Sequence, residues 1–449
     1  MILDSEIDFK RLQEDLSISD ITLIPIFSDV HYHPKNNSVC LFYIQIMNNS
    51  NEYVVLLNHC EKIFDCDIIN ELIHFNHRIF TPNKKRLLFI YPFDNVIDTT
   101  LLAYISNSTN IEDVSYDTPA HTFFNRHFYE VENINSIIPV SNHIHRCKQE
   151  VQNMSKNIAK YSDMVENTMF KIYNDIVVQN FYQIESQGLK VDKELFKEYF
   201  PDKVRYHLAD SDFVYSEYNL YTRTGRPANS YSGVNYAALN KDDGSRRIIQ
   251  SRFDDGMLVE FDFSSYHMFL VARILDISIP SADIHTYMAQ LILGKDNITP
   301  EEKSQMKQIN FQLLYSDLDD SIIEAVPYYA KLDKFRNTLY KSFLKNGYIE
   351  THLFKRRIYM PIDSKAATVF NYYVQSYETE QNAIFIRRVT SYIQEKQLDL
   401  KMILYTYDSI LFDIPQHELH HSIAIKDLLS EFPLKMHAGR DYFSMISVS

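Results

Sequence analysis

The stretch Leu258-Val-Glu-Phe-Asp-Phe-Ser-Ser-Tyr-His-Met-Phe-Leu270 decides how the rest of this 449-residue chain is interpreted. An apolar run that contains Asp262 passes directly into a pattern in which Phe269, Leu270 and Ile274 recur at helical spacing. This change of periodicity predicts a β-strand that delivers a carboxylate to a strand-to-helix corner.

A second carboxylate lies far downstream, in Met402-Ile-Leu-Tyr-Thr-Tyr-Asp-Ser-Ile-Leu-Phe-Asp-Ile414. Here Asp408 falls between two apolar runs, as a residue at the tip of a β-hairpin would. Two carboxylates from distant strands suit a two-metal phosphoryl-transfer site, because they bridge Mg²⁺ ions that activate one oxygen and stabilise another. Either aspartate alone is more often a turn residue or a solvated charge, so the residues between them decide.

Composition predicts a globular protein of two to four domains, since 45% of the residues are hydrophobic and 23% are charged. The chain has no apolar run of membrane-spanning length, no signal-peptide pattern and no paired CxxC motif, which predicts a cytoplasmic protein of a nucleoid or a host cell. A zinc site made of His59, Cys60, Cys66 and His74 is disfavoured, because their spacing matches no standard zinc motif.

A net charge of −14 argues against nucleic acid as a partner. The average charge does not decide this point, however, because phosphate is bound by a local groove. Two basic clusters flank the carboxylate strands. The first consists of Arg223, Arg226, Lys241, Arg246, Arg247 and Arg252, and the second of His352, Lys355, Arg356 and Arg357. They are either solvated faces or phosphate-binding surfaces.

The periodicity changes along the chain. Residues 1–150 contain short apolar runs typical of an α/β domain, namely Ile21–Phe27, Val39–Ile46, Tyr53–Leu57 and Arg86–Tyr91. Residues 151–200 follow a helical pattern, and residues 201–257 are polar and predict loops with short strands. The remainder alternates strands and helices.

Thr299-Pro-Glu-Glu302 predicts the start of a helix, with threonine as N-cap, proline at the first position and glutamate at the third. Lys303, Lys307, Phe311 and Tyr315 then follow at four-residue intervals, along one face. Two ammonium groups followed by two rings would suit a nucleotide, with the lysines at the triphosphate and the rings against base and sugar. The alternative is an ordinary amphipathic helix with solvated lysines and buried rings.

Three segments carry a resemblance to family A DNA polymerases. Lys307-Gln-Ile-Asn-Phe-Gln-Leu-Leu-Tyr315 resembles motif B of that family, Phe261-Asp-Phe-Ser264 resembles motif A, and Tyr407-Asp-Ser409 resembles a degraded motif C. Further matches are Ile184–Asp192 at the base of the thumb, Thr222–Asn229 at the palm entry, Asp283–His285 before the fingers helix, Gly347–Glu350 with Arg356–Pro361 as a strand pair, and Asn371 with Gln375 on a palm helix. These matches occur in the family's order, which is more specific than any one motif.

The resemblance implies an α/β protein with an α+β palm. It predicts a right-hand polymerase palm and fingers with an antiparallel catalytic sheet, preceded by an RNase-H-like domain of the exonuclease type. The domains that follow from it are a degenerate 3′–5′ exonuclease-like domain at 1–150, a connector and vestigial thumb at 151–220, palm with motif A at 221–280, fingers with motif B at 281–345, and palm with motif C at 346–449.

The resemblance also assigns expected roles to single residues. Asp262 and Asp408, with the carbonyl of Phe263, would hold two Mg²⁺ ions, for which Mn²⁺ would substitute. The incoming dNTP would meet Lys303, Lys307 and His285 at its triphosphate and Phe311, Tyr315 and His267 in the rest of its pocket. Primer-template DNA would meet Arg226, Asn371 and Gln375 in the minor groove, whose acceptors are common to all correct base pairs. The implied chemistry is attack of a primer 3′-hydroxyl on the α-phosphate.

Several positions depart from the family pattern. His267 stands where the family has a glutamate that excludes ribose, so it acts on the sugar or is a repacked core histidine. Ser409 replaces a motif C carboxylate, and Gln312 and Ser316 replace motif B glycines, which predicts a less flexible fingers helix. Only residues 193–220 stand where the family has a long thumb, which predicts distributive synthesis unless a processivity partner supplies a clamp.

The N-terminal region resembles the family's exonuclease domain in outline. Ile21–Phe27, Val39–Ile46 and Tyr53–His59 would begin an RNase-H-like sheet, and Asp98–Ala103 and Tyr116–Thr118 fall where later exonuclease motifs would. The Asp-x-Glu expected on the first strand is missing, and only Asp29 lies nearby. Proofreading by two metals needs several carboxylates around one point, so the region predicts a scaffold without proofreading.

The sequence therefore predicts a compact, proofreading-deficient, template-directed DNA polymerase from a phage, plasmid or other mobile replicon. One alternative is a catalytically impaired, polymerase-like scaffold that binds nucleic acid within a replication complex. The joint presence of Asp262, Asp408, Lys307, Phe311, Tyr315 and Gln375 argues against it. A third interpretation is ribonucleotide use, primer synthesis or RNA templating, which His267 alone suggests.

Overall fold

A computed structural model describes residues 1–29, 32–106, 135–208, 211–229, 231–281, 283–315 and 326–448. The chain forms two compact units. The N-terminal unit contains the described residues up to Tyr221 together with Ala228–Ile249, and the C-terminal unit contains Thr222–Pro227 and the described residues from Gln250 onward. Two positions discussed above, Tyr116–Thr118 and Ser316, lie outside the described residues.

The N-terminal unit is built on one mixed sheet. Its described strands are β1 (Ile21–Phe27), β2 (Val39–Ile46), β3 (Glu52–Leu56), β4 (Ile79–Thr81) and β5 (Val96–Asp98). They lie in the order β3-β2-β1-β4-β5, with β1, β2 and β3 antiparallel and β4 and β5 parallel to β1. The predicted first strands of an RNase-H-like sheet are confirmed, although the third ends at Leu56 rather than His59.

Both faces of this sheet are covered, because neighbouring strand residues point to opposite sides. Leu23 packs with Leu12 of helix α1 (Glu6–Leu16), and Ile24 packs in the cluster that contains Val151. Val151 belongs to a helix that begins at Val140, so the prediction of a helical region from residue 151 was too short. The apolar repeat of Val140, Ile144, Cys147 and Val151 shows why the helix starts earlier.

Except for α5, the helix that begins at Val140, the remaining N-terminal elements are short. The helices are α2 (Ile68–Ile73), α3 (Lys84–Leu88), α4 (Thr99–Ser106), α5 (Val140–Tyr161), α6 (Thr168–Lys171), α7 (Val178–Gln187), α8 (Lys193–Tyr199) and α9 (Val204–His207), with a π-helical turn at Ile172–Val177. Two strand pairs complete the unit, β6 (Leu189–Lys190) with β7 (Phe213–Val214) and β8 (Tyr218–Asn219) with β9 (Ala228–Asn229). The predicted loops with short strands are confirmed.

The C-terminal unit contains an antiparallel sheet with β10 (Met257–Phe263) at its centre. The other strands are β13 (Lys401–Tyr405), β14 (Ser409–Ile414), β15 (Leu434–Gly439) and β16 (Ile446–Val448), in the order β13-β14-β10-β15-β16. A separate hairpin pairs β11 (Tyr348–Glu350) with β12 (Arg357–Tyr359), as predicted for the return strand pair. The antiparallel catalytic sheet that the resemblance implies is therefore present.

Six α-helices accompany this second sheet in the described residues of the unit. They are α10 (Tyr266–Ile274), α11 (Ile284–Leu293), α12 (Pro300–Tyr315), α13 (Pro327–Asn346), α14 (Ala366–Lys396) and α15 (His421–Leu429). Helix α10 follows β10 after two residues, which confirms the strand-to-helix corner. At the start of α12, Thr299 accepts from the backbone N–H of Glu302 (3.3 Å) and Glu302 accepts from that of Thr299 (3.0 Å), so the predicted capping box is confirmed.

The helices share one apolar core, to which Val271 of α10, Met288 of α11, Leu314 of α12 and Leu332 of α13 contribute. This core fixes α12 beside the corner that carries Asp262. In the part of the chain that the structure describes, no helix combines the length and apolarity needed to cross a membrane.

Candidate active site

The two predicted aspartates lie on neighbouring strands of the C-terminal sheet. Asp262 is opposite Ser409 in the β10–β14 register, and the backbone N–H of Phe263 donates to the carbonyl of Asp408 at 2.8 Å. Asp408 is exposed in the turn between β13 and β14, and Asp262 is half-buried. The prediction of a hairpin-tip aspartate is confirmed, and the sheet brings the two residues together.

The turn that presents Asp408 is held in an unfavourable backbone conformation. Tyr407 has φ +73°, in the left-handed region that a bulky residue seldom adopts. The buried amide of Asn382, on α14, donates to the carbonyl of Tyr407 at 2.7 Å and to the hydroxyl of Tyr405 at 2.9 Å, and accepts from Tyr266 at 2.9 Å. Asn382 therefore ties the turn to the helix behind it, a role that the sequence analysis missed.

A third carboxylate lies next to this pair. Glu260 is two residues before Asp262 and so points to the same face of β10. It is buried, and its Oε1 accepts from the hydroxyls of Ser409 at 2.8 Å and Tyr442 at 2.9 Å. The serine that replaces a motif C carboxylate thus donates to a carboxylate from another strand. A glutamate inside an apolar strand was the signal that could have identified it.

The stripe on α12 is partly solvent-facing. Lys303, Lys307 and Phe311 are exposed, and the Phe311 side chain retains 65% of its accessible surface. Tyr315 is half-buried, with its ring beside that of Phe370 at 6.1 Å between centroids. An amphipathic helix with both rings in the core is therefore excluded.

The two lysines of the stripe differ in their partners. Lys303 forms an ion pair with Asp283, whose carboxylate also caps α11 by accepting from the N–H of Thr286 at 3.2 Å. Across the described residues, no carboxylate lies within ion-pairing distance of Lys307. Lys307 is therefore the lysine whose charge is available to a ligand in this conformation.

His285 is enclosed by a chain of hydrogen bonds. The Tyr329 hydroxyl donates to Asn310 Oδ1 at 2.6 Å, Asn310 Nδ2 donates to His285 Nδ1 at 2.9 Å, and His285 Nε2 lies 2.8 Å from the Ser265 hydroxyl. Burial lowers the pKa of His285, and Lys307 and Lys303 lower it further against the opposing charge of Asp283. The ring is thus neutral at pH 7, and a phosphate contact would have to replace the bond to Ser265.

Arg226 is positioned by the turn that precedes it. Gly225 has φ +79°, its N–H donates to the carbonyl of Thr222 at 3.0 Å, and the Thr222 hydroxyl donates to the carbonyl of Arg226 at 2.7 Å. The guanidinium lies 4.0 Å from the centre of the Tyr407 ring, within cation–π range. Arg226 therefore contacts the residue that precedes Asp408.

Helix α14 presents a polar stripe to the same region. Asn371, Gln375, Glu378 and Asn382 follow at intervals of four, three and four residues, which places them on one face. Gln375 donates to Asn371 at 3.2 Å, which brings these two predicted DNA contacts together. The sequence analysis singled out the first two residues of the stripe and missed the last two, although their spacing continues the pattern.

His267 joins α10 to both neighbouring helices. Its Nδ1 is hydrogen-bonded to the Tyr315 hydroxyl on α12, and its Nε2 lies 3.3 Å from Glu378 on α14. Burial raises the pKa of Tyr315, so its hydroxyl keeps its proton. The ring is half-buried with a polar partner on each nitrogen, which is unlike a repacked core histidine.

Two of the predicted basic residues serve the fold instead of a phosphate surface. Arg356 is fully buried and donates to the carbonyl of Arg223 at 3.0 Å. Arg252 forms an ion pair at 2.9 Å with Asp413, which is itself fully buried. The two basic clusters therefore do not form continuous solvated surfaces, because buried partners hold part of each one.

The carboxylates of the N-terminal unit are arranged differently. Asp98 is fully buried at the end of β5 and accepts from the N–H groups of Lys84 (2.9 Å) and Leu101 (2.8 Å) and from the Tyr221 hydroxyl (3.0 Å). Its carboxylate thus caps α4 at Leu101 and connects this helix to the start of α3 at Lys84 and to Tyr221. Burial raises its pKa to about 6, against the hydrogen bonds that lower it.

Two clusters of possible metal ligands occur among the described residues, and neither is the set of His59, Cys60, Cys66 and His74; one of the two consists of Asp399, His417 and Glu418. His59 instead meets Cys40 and His143, whose ligand atoms lie within 4.8 Å of one another. His59 Nδ1 accepts from the N–H of Glu61 at 3.1 Å and its Nε2 donates to the carbonyl of Ile138 at 2.8 Å. Both nitrogens are engaged, so a metal would have to displace one of these bonds.

An antiparallel sheet that presents two aspartates beside a helix with a lysine and aromatic stripe is the arrangement of a right-hand polymerase palm and fingers. Residues 193–436 match the model of DNA polymerase family A, and the chain belongs to that family.

Known proteins agree with this assignment. DNA polymerase I of Caldicellulosiruptor bescii is 25% identical over an alignment of 246 residues, which covers 47% of this chain and 28% of that protein. DNA polymerase I of Bacillus caldotenax is 21% identical over an alignment of 303 residues, which covers 59% of this chain and 32% of that protein. The chain thus matches about a third or less of the length of these relatives.

A solved structure shares the fold. The POL domain of Pol1 from M. smegmatis, in complex with DNA primer-template and dNTP, superimposes with a TM-score of 0.76 at 12% identity. The similarity covers 99% of this chain and 100% of that one, so it extends over both units.

Proposed function

We propose that this protein is a template-directed DNA polymerase that adds deoxynucleotides to a primer 3′-hydroxyl without proofreading. The observation that carries the proposal is the pairing of Asp262 and Asp408 through the backbone bond from Phe263 to Asp408. Membership in DNA polymerase family A supports it. The exposure of Asp408 supports it too, because a carboxylate at a solvent-facing turn can meet a substrate.

Asp262, Asp408 and the carbonyl of Phe263 would hold two Mg²⁺ ions. Their oxygens are the ligand type that Mg²⁺ prefers, and Asp262 and Asp408 lie at one end of the sheet where water and phosphate oxygens can complete the coordination. Bound there, the ions would acidify the primer hydroxyl and neutralise charge on the phosphate.

The protein's own residues would bind and orient the substrates. Lys307 would neutralise the triphosphate, Phe311 would stack on the base, and Lys303 would join them once released from Asp283. Arg226, Asn371 and Gln375 would donate to minor-groove acceptors, which are similar for all correct base pairs. This division separates charge neutralisation on α12 from the check of base-pair shape on α14.

The absence of proofreading is supported by the environment of Asp98, the buried carboxylate in the predicted exonuclease-like region. Asp98 accepts three hydrogen bonds inside the N-terminal unit, and strand β1, Ile21-Thr-Leu-Ile-Pro-Ile-Phe27, carries no carboxylate. We expect no release of nucleotides from a 3′-labelled single strand under conditions that support extension. Release that is lost on Asp98→Asn substitution would contradict this part of the proposal.

Synthesis would be distributive for the protein alone. The described residues between Asp192 and Leu220 form α8, a 3-10 turn at Pro201–Lys203, α9 and short strands, which offer little length to grip a duplex. A processivity partner would then be required for long products. Long products made by the protein alone with an excess of unlabelled trap DNA would contradict this expectation.

Primer extension on a short primed DNA template with Mg²⁺ tests the proposal. The comparison is between wild type, Asp262→Asn and the control Asp427→Asn, which alters an exposed aspartate on α15. Template-dependent extension that is lost only in Asp262→Asn is the expected result. Template binding without extension by the wild type, with Mg²⁺ or Mn²⁺, would contradict it and favour a scaffold.

A further inference from the structure

We propose that Glu378 is a positioning residue that holds His267 and Arg226 with one buried carboxylate, and so sets the sugar side of the nucleotide pocket and a DNA contact together. The inference rests on the proposed function, because the substrates of His267 and Arg226 follow from it. Its structural basis lies entirely within the C-terminal unit.

The geometry of Glu378 is the first observation. It lies in the middle of α14 with 1% of its side chain exposed. Its Oε2 is 3.3 Å from His267 Nε2 and 3.4 Å from Arg226 Nε. Neither carboxylate oxygen has a hydrogen bond of ordinary geometry within the described residues, so the His267 ring and the Arg226 guanidinium are its two polar neighbours there.

The second observation is the charge state of the buried Glu378 carboxylate. Removing a carboxylate from water costs several kcal/mol, which is recovered only when partners are well placed. Burial raises the pKa of Glu378, but the nearby His267 and Arg226 outweigh burial and the net effect is a lowered pKa. Glu378 is therefore ionised at neutral pH.

The neighbouring buried glutamate on α14 shows what a structural role looks like. Glu380 is equally buried, and its Oε2 accepts from the backbone N–H groups of Leu353 at 2.8 Å and Phe354 at 3.0 Å. Glu380 thus anchors a loop. Glu378 anchors no backbone group in the described residues and faces two side chains of the candidate site instead.

On one side, Glu378 orients the His267 ring. A carboxylate beside Nε2 requires the proton on that nitrogen, so in the neutral ring Nδ1 is the acceptor for the Tyr315 hydroxyl. Glu378, His267 and Tyr315 thereby form a row of contacts from α14 through α10 to α12. This row holds the side chains of His267 and Tyr315 in place. Because both border the predicted position of the nucleotide sugar, we expect deoxyribose to be selected over ribose.

On the other side, Glu378 orients Arg226. The guanidinium has the Glu378 carboxylate at its Nε and the Tyr407 ring at 4.0 Å. These contacts leave its terminal nitrogens as the groups available to reach the minor groove. Because one carboxylate holds both side chains, its loss should disturb nucleotide selection and DNA binding at the same time.

The test is Glu378→Gln, which removes the charge and keeps the shape, against the control Glu395→Gln, an exposed glutamate on the same helix. Two readouts are measured: the ratio of kcat/KM for dNTP over rNTP, and the Kd for primer-template DNA without nucleotide. Loss of a charged contact predicts about a tenfold fall in the ratio and about a threefold or larger rise in Kd. Equal behaviour of the two variants would overturn the proposal, as would a change confined to one readout.

Glu378→Asp provides a second measurement if the glutamine variant does not fold, as judged by loss of a cooperative thermal transition. Aspartate keeps the charge but is too short to reach both partners, so it should shift both readouts in the same direction by a smaller factor. Wild-type values in both would overturn the inference. The proposed function has a separate readout, because absence of extension by the wild-type protein would contradict it alone.

Discussion

Asp98 and Asp408 are both aspartates next to an apolar strand, yet the fold gives them opposite environments. Asp98 is fully buried and accepts three hydrogen bonds, two of them from backbone N–H groups. Asp408 is exposed in a turn whose backbone is tied to Phe263 and whose preceding residue is held by Asn382. The carboxylate of Asp98 is surrounded by donors, whereas the turn that presents Asp408, the proposed metal ligand, is held through its backbone.

The largest effect that this comparison predicts is in Asp408→Asn. Loss of a metal-ligating charge should reduce the extension rate by about a thousandfold or more, since a metal contributes several kcal/mol to the transition state. The free energy of unfolding in urea should change by less than about 0.5 kcal/mol, as at other exposed sites. A variant that keeps a tenth of the wild-type rate would contradict the role of Asp408.

Asp98→Asn should show the reverse pattern. An asparagine cannot accept from all three donors, so at pH 4, where the contribution of Asp98 is full, we expect a loss of about 2 to 4 kcal/mol in the free energy of unfolding. The extension rate per folded molecule should stay within about twofold of wild type, a change of less than about 0.5 kcal/mol in the barrier. Unchanged stability would show that the three bonds do not matter.

The pH dependence of stability separates the two aspartates further. The pKa of Asp98 is raised from 3.8 to about 6 in the folded state, so the protonated form is favoured by folding. Its contribution to stability is full below pH 4 and is lost as the pH rises through 6, by about 3 kcal/mol. The unfolding free energy of wild type minus that of Asp98→Asn should therefore decrease by this amount between pH 4 and pH 7. A difference that does not change with pH would refute the prediction.

Asn382→Ala tests whether the backbone holds Asp408 in place. It removes hydrogen bonds to Tyr407, Tyr405 and Tyr266, so extension should fall about tenfold through misplacement of Asp408. Gln394→Ala, at an exposed position of the same helix, is the control. Equal extension rates for the two variants would mean that the turn needs no support from α14.

The smallest effect concerns the exposed ring on α12. Phe311→Ala should raise KM for dNTP about fivefold or more, because stacking on a base is worth about 1 to 3 kcal/mol, and should leave stability nearly unchanged. Ile309→Ala, on the same helix and also exposed, should leave KM unchanged. A fall in unfolding free energy without a change in KM would instead make Phe311 a packing residue.

Local patterns in the sequence were sufficient for the elements that present the site. The strand and corner at Asp262, the turn at Asp408 and the capping box at Thr299 each depend on residues close together in the chain, and the structure confirms all three. The first three strands of the N-terminal sheet, predicted from the resemblance, are present as well.

What the sequence could not supply was the choice of distant partners. Glu260, Glu378 and Asn382 act through residues that the fold brings to them, and no local pattern identifies those residues. For the same reason Arg252 and Arg356 were placed in clusters expected to be solvated faces or phosphate-binding surfaces, although each is paired or bonded inside the protein. The available signals were the glutamate inside the apolar strand β10 and the regular spacing of polar residues on α14.

The most direct test of the central claim is the single-turnover extension rate of Asp408→Asn and Asp98→Asn, each divided by its folded fraction at the assay temperature. The structure predicts near-wild-type extension for folded Asp98→Asn and a loss of about a thousandfold for folded Asp408→Asn. Equal losses in both variants, or extension retained in Asp408→Asn, would contradict the assignment of chemistry to the C-terminal sheet.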